Sequence, residues 1–379
     1  MTQARFTELS IIYENKDISR DIAPFLLSFT YNDNASDKAD DIALSLEDRS
    51  KNWLNGWFPE KGDKITATII VHDKKVEVLP CGTFEVDSVD YSGPPSVINI
   101  KAVSTLISKP MRNEAHTKAW ENIHLSSIAG DIATRNGLKI FWDCVADPLF
   151  ERRDQVEISD LEFLKNLAAD SGINIKVTDS QLVCYEREEY EAKNAIDTIE
   201  ATDKKLLRYS FSSKATGIYK SARLQYHDPV KNTTIDVTEN YDGDKGESNR
   251  VLNINVKAES IDEAKKICRE RLNAANSREI TGSLSLVGDL RYIGGNNLEI
   301  EGFGAFDGKY LIESASHTLS NGYTTNIKLS LGKEEKKAKA SKTKRKASKS
   351  TKKIAKTPAV APASNVTNVY RGERIKIVS

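Results

Sequence analysis

The sequence predicts a mainly β fold with an α+β insertion, and three observations indicate it. Short alternating runs of apolar and polar residues, separated by Asp, Gly and Pro, fill residues 1–107 and return after residue 206. Between these regions, residues 108–205 contain apolar side chains at helical spacing. After residue 332 the chain becomes polar and strongly basic. We therefore expect two barrel-like domains that flank a small α+β domain, followed by a linker.

The first barrel-like domain, residues 1–107, is predicted from period-two alternation. Phe29 and Tyr31 alternate with polar neighbours, and so do the apolar residues of the run 42–46, as in half-buried strands. Closely spaced short strands of this kind favour a barrel or a sandwich. Four further strands are predicted at Ile65–Val71, Lys75–Leu79, Thr83–Tyr91 and Val97–Val103.

Two helices and a hairpin are predicted in the middle domain, residues 108–205. The first helix begins at Leu125, and Asn136-Gly137 ends it. A capping box at Ser159–Glu162 opens the second helix, because each of its two polar side chains satisfies a free backbone amide. The hairpin that follows has the strands Asn174–Val177 and Gln181–Tyr185.

The second barrel-like domain, residues 206–332, repeats the short-strand pattern and has one helical insertion near residues 260–275. A second capping box, Ser260–Glu263, opens that helix. The predicted strands are Leu206–Phe211, Ser221–Tyr226, Thr233–Val237, Thr281–Leu286, Asn297–Gly302, Lys309–Ser316 and Tyr323–Leu331.

The net charge of zero hides a division between an acidic body and a basic tail. Residues 1–332 carry 40 Lys/Arg and 52 Asp/Glu, which argues against stable nucleic-acid binding by the body. Residues 333–364 are predicted to be a disordered, flexible basic linker, either simply solvated or a tether for acidic partners. Residues 365–379 are predicted to dock on a partner through the short strand Arg374–Val378.

Three segments together resemble the late control protein D family, the baseplate hubs of contractile phage tails and tail-like bacteriocins. Residues 28–63 carry F-x-Y-x-D, A-D-D-I-x-L-x-L-x-D and W-L…W-x-P-x-x-G-D. The helices of the middle domain carry L-x-x-I-A and D-x-x-F-L-x-x-L-A-x-x-x-G. Residues 283–331 carry E-G-F-G-x-F-D-G-K-Y-x-I-x-S-x-x-H and G-Y-T-T-x-I-x-L. The likeness covers about residues 1–332, without the linker and the terminal strand.

The resemblance implies a structural baseplate hub and no enzyme. It implies a homotrimer in which two tube-like domains per chain match a hexameric tail tube to a trimeric spike. The implied partners are the chain itself, the tail tube protein, the spike protein and baseplate wedge proteins, with the tape measure protein as a further candidate. The alternatives are a cell-wall-degrading enzyme of the tail tip and the hub-like part of a type VI secretion spike protein.

No pattern for catalysis, a metal or a cofactor stands out. Gly302–Gly308 lacks the third glycine of a dinucleotide loop, and Asp307-Gly308 predicts a tight hairpin turn instead. The stretch 242–253 lacks the glycine and glutamate of a calcium loop. The five histidines and four cysteines lack zinc-site spacing, and we expect reduced thiols in packed positions.

The candidate partner-binding residues are therefore aromatic and tail positions: Trp53, Trp57, Tyr370, Arg374 and Ile375. Like Trp53 and Trp57, Trp120 can be interpreted as a core residue or as an interface residue, because aromatic residues are enriched in both settings. The N-terminus lacks a signal-peptide pattern, and no apolar run is long enough to insert into a membrane by itself. We expect the protein in the bacterial cytoplasm during assembly and afterwards in the baseplate of a virion or tail-like particle.

Overall fold

The structure is a computed structural model, and it describes residues 5–36, 38–104, 109–178, 181–214, 218–228, 232–241, 249–258 and 260–332. These residues lie in one compact unit, Met1–Lys337. A second unit, Ala338–Ser379, lies outside the described residues. The predicted basic linker and the predicted terminal strand fall outside them as well.

The N-terminal elements are nearly all strands, as the alternation predicts. The apolar side chains of these alternating runs are buried on one face of each strand, where β-branched and aromatic residues pack. Their polar neighbours face outward. Two predicted strands merge into one long strand, and the first strand was not predicted. The elements are β1 Phe6–Tyr13, β2 Lys16–Asp17, α1 Ser19–Ile22, β3 Leu26–Asn34, β4 Asp41–Glu47, β5 Lys64–His72, β6 Val76–Ser92 and β7 Val97–Ser104.

The middle region has the predicted helices and hairpin together with three strands that the sequence pattern did not reveal. The predicted capping box is confirmed at its serine, since Ser159 Oγ accepts a hydrogen bond from the Glu162 backbone amide at 3.3 Å. The elements are α2 Lys109–Asn113, β8 Ala115–His124, α3 Leu125–Arg135, β9 Lys139–Asp143, β10 Leu149–Ser159, α4 Asp160–Asp170, β11 Ile173–Val177, β12 Gln181–Glu186 and α5 Arg187–Ala192.

The C-terminal elements follow the predicted order of strands around one helix, with two added strands, residues 195–200 and 251–254, that the sequence pattern did not reveal. Ser260 Oγ accepts from the Glu263 amide at 3.1 Å, which confirms the cap of that helix. The elements are β13 Ala195–Glu200, β14 Leu206–Ser213, β15 Ser221–Asp228, β16 Thr233–Asn240, β17 Val251–Ile254, α6 Ile261–Asn276, β18 Ile280–Val287, β19 Asn297–Glu301, β20 Gly308–Ser320 and β21 Gly322–Leu331.

Thirteen strands from both β-rich regions share one sheet. Its main path runs β14-β18-β21-β20-β3-β4-β7-β6-β5-β1-β2, with β19 beside β20 and β13 beside β19. The long strand β20 makes this possible, because one of its edges pairs with β19 through residues 308–311 and with β3 through residues 314–319. The mainly β fold with an α+β insertion is therefore confirmed. Among the described strands the path stays open, and neither barrel-like domain closes into a barrel.

Smaller sheets carry the remaining strands. β8 pairs with β10, and the order β11-β12-β9 forms a second sheet in the middle region. The strands β16-β15-β17 form a third sheet, against which α6 packs. The sequence had assigned those strands to the second barrel-like domain, but they separate from the large sheet because α6 gives them an apolar partner of their own.

Four hydrophobic clusters match these sheets. The first contains the buried residues of β3–β7 together with Leu290 and Leu319 from the C-terminal part. The second lies wholly within residues 111–184, in the middle region. The third spans residues 199–331, and the fourth is the α6 cluster. Apolar packing therefore joins the two β-rich regions, whereas the middle region keeps a separate core.

The predicted tight turn at Asp307-Gly308 is wrong. Asp307 has φ −60°, not the positive φ of that turn, and β19 pairs with β20 at Ile300 and Gly308. The connection is therefore longer and contains a 3₁₀ turn, Gly304–Phe306. The Asp307 carboxylate fixes it by accepting from the Phe303 amide at 2.6 Å. A strand, β20, follows this connection, whereas a dinucleotide loop leads into a helix.

Candidate assembly interface

The two candidate tryptophans lie in one turn, residues 52–58, which we call the aromatic turn. Trp53 is 7% exposed and belongs to the first hydrophobic cluster, whereas Trp57 is 47% exposed. Their rings meet edge to face with centroids 5.6 Å apart. Trp53 therefore supports Trp57 from the core, and Trp57 is the member of the pair that a partner can contact.

Backbone hydrogen bonds hold the aromatic turn in shape. The amides of Asn55 and Trp57 both donate to the Asn52 carbonyl at 3.1 Å. The buried carboxylate of Asp48 accepts from the Trp53 amide at 3.3 Å, which ties the turn to the end of β4. Because the backbone is fixed, its exposed side chains are held in place before any partner arrives.

The exposed side chains of the aromatic turn form an apolar surface. Leu54 and Phe58 are exposed beside Trp57, and the Phe25 ring lies edge-on to the Trp57 indole at 6.4 Å. Large aromatic side chains are enriched in the cores of protein interfaces. The aromatic turn is thus the best-formed candidate contact surface among the predicted positions.

The remaining candidates divide between the core and the tail. Trp120 is buried, stacks on Phe163 at 5.2 Å and donates its indole N–H to Asp131 at 3.0 Å, so its core interpretation is the one the structure shows. Tyr370, Arg374 and Ile375 lie outside the described residues, and their role in partner binding stays a prediction.

The two β-rich regions meet at a seam between β3 and β20. Thr30 and Thr318 approach within 3.4 Å across it, and the Tyr31 ring stacks on the His317 ring at 6.0 Å. His317 is fully buried and hydrogen-bonds the Tyr323 hydroxyl at 2.7 Å. Burial lowers the pKa of His317, so the imidazole is kept neutral at the seam.

The middle region joins the β-rich regions through charges. The Lys176 ammonium in β11 donates to the Asp33 carboxylate of β3 and lies 3.7 Å from Asp40. Asp33 also accepts from the Gly294 amide at 2.7 Å, and Asp40 accepts from the Asn34 amide at 2.8 Å. We call Asp33, Asp40 and Lys176 the charged triad. It links three parts of the chain in one place.

Burial and charge work against each other in the charged triad. Burial raises the pKa of Asp40 to about 7, although Lys176 opposes the shift, and the Asp33 carboxylate adds to it. Burial alone would lower the pKa of Lys176, but the carboxylates of Asp33 and Asp40 outweigh it and raise that pKa. The ammonium therefore stays charged, while Asp40 is the group that changes protonation near neutral pH.

A second charged link joins α5 to the C-terminal strands. The Arg187 guanidinium donates to Glu313 at 2.5 Å and Ser330 at 2.6 Å, and to Glu191 on its own helix at 2.7 Å. Burial would raise the pKa of Glu313, but Arg187 overcomes it and holds that pKa below its ordinary value. Removing one partner of a largely buried, hydrogen-bonded ion pair of this kind strongly destabilises the folded protein.

Further ion pairs connect the middle region to α6. Arg153 pairs with Glu263 at 2.6 Å, and Arg271 of α6 pairs with Asp170 of α4 at 2.6 Å. A cleft of about 620 Å³ lies beside Arg271, lined by residues of α4, α5 and α6 among others. No local sequence pattern indicated these charged links between distant segments, except that Asp33 of the charged triad continues the inward alternation of Phe29 and Tyr31.

The described residues contain no cluster of three or more side chains suited to hold a metal ion. The stretch 242–248 of the rejected calcium loop lies outside them. All four cysteines are free thiols, and burial raises the pKa of Cys81, Cys144 and Cys184 to about 12, which makes them poor nucleophiles. None of the helices in the described ranges has the length and apolar character needed to span a bilayer.

Comparison with known proteins gives the chain its relatives. No family model matches it. The protein named "Probable baseplate hub protein" of Escherichia phage P2 is 28% identical over 174 residues, which is 46% of this chain and 43% of that protein. The protein of the same name from Escherichia phage 186 is 27% identical over 173 residues, 45% of this chain and 42% of that protein. The matches thus span less than half of each relative.

Solved structures share the fold over a larger part of the chain. The tail protein from Neisseria meningitidis has a TM-score of 0.66 at 10% identity and covers 86% of this chain and 96% of its own. The E. coli c3393 protein, described as a component of the type VI secretion system that resembles T4 tail proteins gp27 and gp5, has a TM-score of 0.50 at 9% identity, covering 80% and 73%. The predicted resemblance is therefore confirmed: in sequence this chain is similar to phage baseplate hub proteins, and its fold is that of phage tail proteins.

Proposed function

We propose that this chain is a baseplate hub, a homotrimeric adaptor that joins a hexameric tail tube to a trimeric spike in a contractile tail or tail-like particle. The observation that carries the proposal is the continuous sheet through β3 and β20. It holds two β-rich regions of one chain in a fixed relation, so three copies supply six such regions around a threefold axis. The similarity to proteins named baseplate hubs supports the same role.

The ends of the large sheet offer a way for copies to associate. β14 pairs with β18 alone, and β2 covers β1 at Ile12 and Tyr13 alone, so both ends carry backbone groups without a strand partner among the described residues. An edge strand can add to the sheet of another copy. Because the two ends differ, the contact is heterologous, and such contacts form a ring when the rotation closes.

The other partners follow from this role. The proposed partners are the tail tube protein above the ring, the spike protein below it and the wedge proteins around it. The aromatic turn, through Trp57 supported by Trp53, is the proposed contact surface on the body, and residues 365–379 dock on a partner. The acidic body, with 40 basic and 52 acidic residues in 1–332, repels nucleic acid that passes through the ring.

The first test is the solution mass of the full chain over a range of concentrations, with negative-stain images of the largest species. Three copies of the 42.2 kDa chain give about 127 kDa. A threefold ring with a central hole at that mass supports the hub. A strict monomer that also fails to assemble when it is co-expressed with tube and spike proteins contradicts it.

A hub-like part of a type VI secretion spike protein is the second candidate, because c3393 shares the fold over 80% of this chain. Co-purification separates the two functions: a phage hub retains a tail tube protein encoded beside it, whereas a type VI component retains secretion tube proteins. A peptidoglycan zymogram with the purified chain tests the cell-wall enzyme, and a cleared zone would overturn the structural role.

A further inference from the structure

Strand β9 of the middle region, Lys139–Asp143, lies at the edge of its sheet, and its charged residues stand only at its two ends. It pairs in parallel with β12 on one side, and no described strand pairs with its other side. Natural sheets protect such edges with inward charges, prolines or bulges, because free backbone groups attract another strand. The three central residues of β9 are Ile140, Phe141 and Trp142, and none of them is protective.

The side chains of β9 are exposed on both faces of the strand. Ile140 is 38% exposed although it lies against Gly130 of α3, and Phe141 on the opposite face is 49% exposed. Lys139 and Asp143 lie on the face of Phe141, because side chains two apart point the same way, and both are exposed. A second strand placed beside β9 would cover apolar surface on both faces of the sheet.

The order of residues in β9 is self-complementary in charge. When two copies of the strand pair antiparallel about a twofold axis at Phe141, Lys139 lies opposite the partner's Asp143, and Asp143 lies opposite the partner's Lys139. The apolar residues meet between these two charge pairs. Opposite charges directly across an antiparallel pair stabilise it, and like charges destabilise it.

We propose that β9 is a twofold contact between two copies of this chain, in which the two sheets β11-β12-β9 join into one six-stranded sheet. The contact is isologous, since the same five residues serve both copies. It differs from the heterologous contact proposed for the ring, because β9 belongs to the middle region and to a different sheet. In the protein without its tail partners, this pairing covers the exposed edge of β9.

Charge reversal tests the proposal, with sedimentation velocity of the full chain at low salt as the readout. Lys139→Asp places carboxylates opposite each other at both ends of the contact, and Asp143→Lys does the same with ammonium groups. Each single variant is expected to weaken the doubling of mass by about tenfold or more. The double variant Lys139→Asp/Asp143→Lys restores opposite charges and is expected to restore the doubling.

Two controls isolate the charge effect. Asp143 also accepts a hydrogen bond from the Tyr190 hydroxyl at 3.2 Å. Tyr190→Phe removes this bond and leaves the charges of β9 unchanged, so this variant should double its mass as readily as the wild type. Lys204→Asp changes an exposed charge outside β9 and should double as well. Far-ultraviolet circular dichroism confirms that each variant is folded.

Hydrogen exchange gives an independent measurement. The amides of residues 139–143 are expected to exchange more slowly as the concentration rises, because pairing protects them, and Phe141→Lys should abolish that change. The proposal is overturned if the wild-type chain never doubles its mass, or if the single variants double as readily as the wild type. In either case β9 is not a contact between two copies of this chain. The doubling of mass is measured relative to the unit that the chain forms, whether a monomer or a trimer. A monomer–dimer equilibrium would therefore support the β9 contact even if the proposed ring did not form.

Discussion

The first β-rich region is attached to the second β-rich region and to the middle region in two different ways. At the seam, β3 and β20 share backbone hydrogen bonds, and Leu319 packs into the first hydrophobic cluster. At the junction with the middle region, no hydrophobic cluster of the described residues crosses, and the charged triad makes the contact together with the buried hydrogen bond from the Tyr185 hydroxyl to the Ala35 carbonyl at 2.9 Å. The seam therefore resembles the interior of a domain, whereas the charged junction resembles an interface between domains.

This difference determines which of the two contacts depends on pH and on single charged groups. Apolar burial is non-directional and insensitive to pH, so the seam fixes the two β-rich regions as one body. Buried ion pairs offset a large desolvation cost with their mutual attraction, and they depend on every partner being present and correctly charged. The position of the middle region is thus the part of this fold that pH and single charge changes can alter.

The largest expected effect comes from Lys176→Ala, which leaves the Asp33 and Asp40 carboxylates buried without their cation. Removing one partner of a buried ion pair costs about 3–5 kcal/mol of unfolding free energy. The loss should grow as the pH rises, because Asp40 can take up a proton at low pH. Urea unfolding measures both effects.

The matched control for Lys176→Ala is Lys118→Ala, whose partner Asp131 lies in a half-exposed pair. An exposed pair contributes about 0–1 kcal/mol. If the two variants lose the same stability, the charged junction is not a buried structural contact, and the comparison between junctions fails.

Next in size is Leu319→Ala, which opens a cavity at the seam. Leu319 is buried against the first cluster, and a buried Leu→Ala change costs about 2–4 kcal/mol. Its loss should be the same at low and high ionic strength, because no charge is involved. Unfolding in urea at two salt concentrations checks this, and Leu319→Met should lose less than about 1.5 kcal/mol. A loss that varies strongly with salt would contradict the apolar description of the seam.

The pH dependence of the charged junction gives the third prediction. The pKa of Asp40 rises from its ordinary 3.8 to about 7 in the fold, so the folded chain holds a proton that the unfolded chain has released. This contribution to stability is complete below about pH 4 and is lost as the pH rises through about 7. Asp40→Asn cannot titrate and should remove that part of the slope in a plot of unfolding free energy against pH.

A neighbouring carboxyl provides the control for Asp40→Asn. Asp41→Asn alters the next residue, which accepts from the Asn32 side chain and lies outside the charged triad, and it should keep the wild-type slope. If Asp40→Asn keeps that slope as well, another group is responsible for it.

The smallest effect on stability is expected for Trp57→Ala. Because the indole is half exposed, its removal should change the unfolding free energy by no more than about 1 kcal/mol. If the aromatic turn is an assembly surface, ring formation or spike binding should fall far more than stability. Ring images and co-purification measure the binding. Normal assembly by this variant would remove the aromatic turn from the interface.

Local patterns predicted much of the secondary structure. Alternation located β4 and β5 to within about one or two residues, and the serine caps located the starts of α4 and α6. These signals are local, since they depend on side chains two to four residues apart. The strands β8, β9 and β10 carry many exposed or charged residues, so their alternation is weak and they were missed.

The candidate interface was predictable only in part. The spacing of Trp53 and Trp57 marked the aromatic turn, but which indole faces outward depends on the packing of Trp53 beside the end of β4. Lys176 and Asp33 lie 143 positions apart, and no local pattern relates them. The charged triad therefore emerges only when β3 and β11 are placed together.

The sequence by itself determined the mainly β class, the helical insertions, the acidic body and the resemblance to phage baseplate hubs. The tertiary structure alone decided that two predicted barrel-like domains share one open sheet, since β20 is long enough to pair with both β19 and β3. It also decided that charged side chains join the middle region to both β-rich regions. The physical reason is the same in both cases: strand pairing and ion pairing between distant segments depend on three-dimensional position, which short-range side-chain periodicity does not encode.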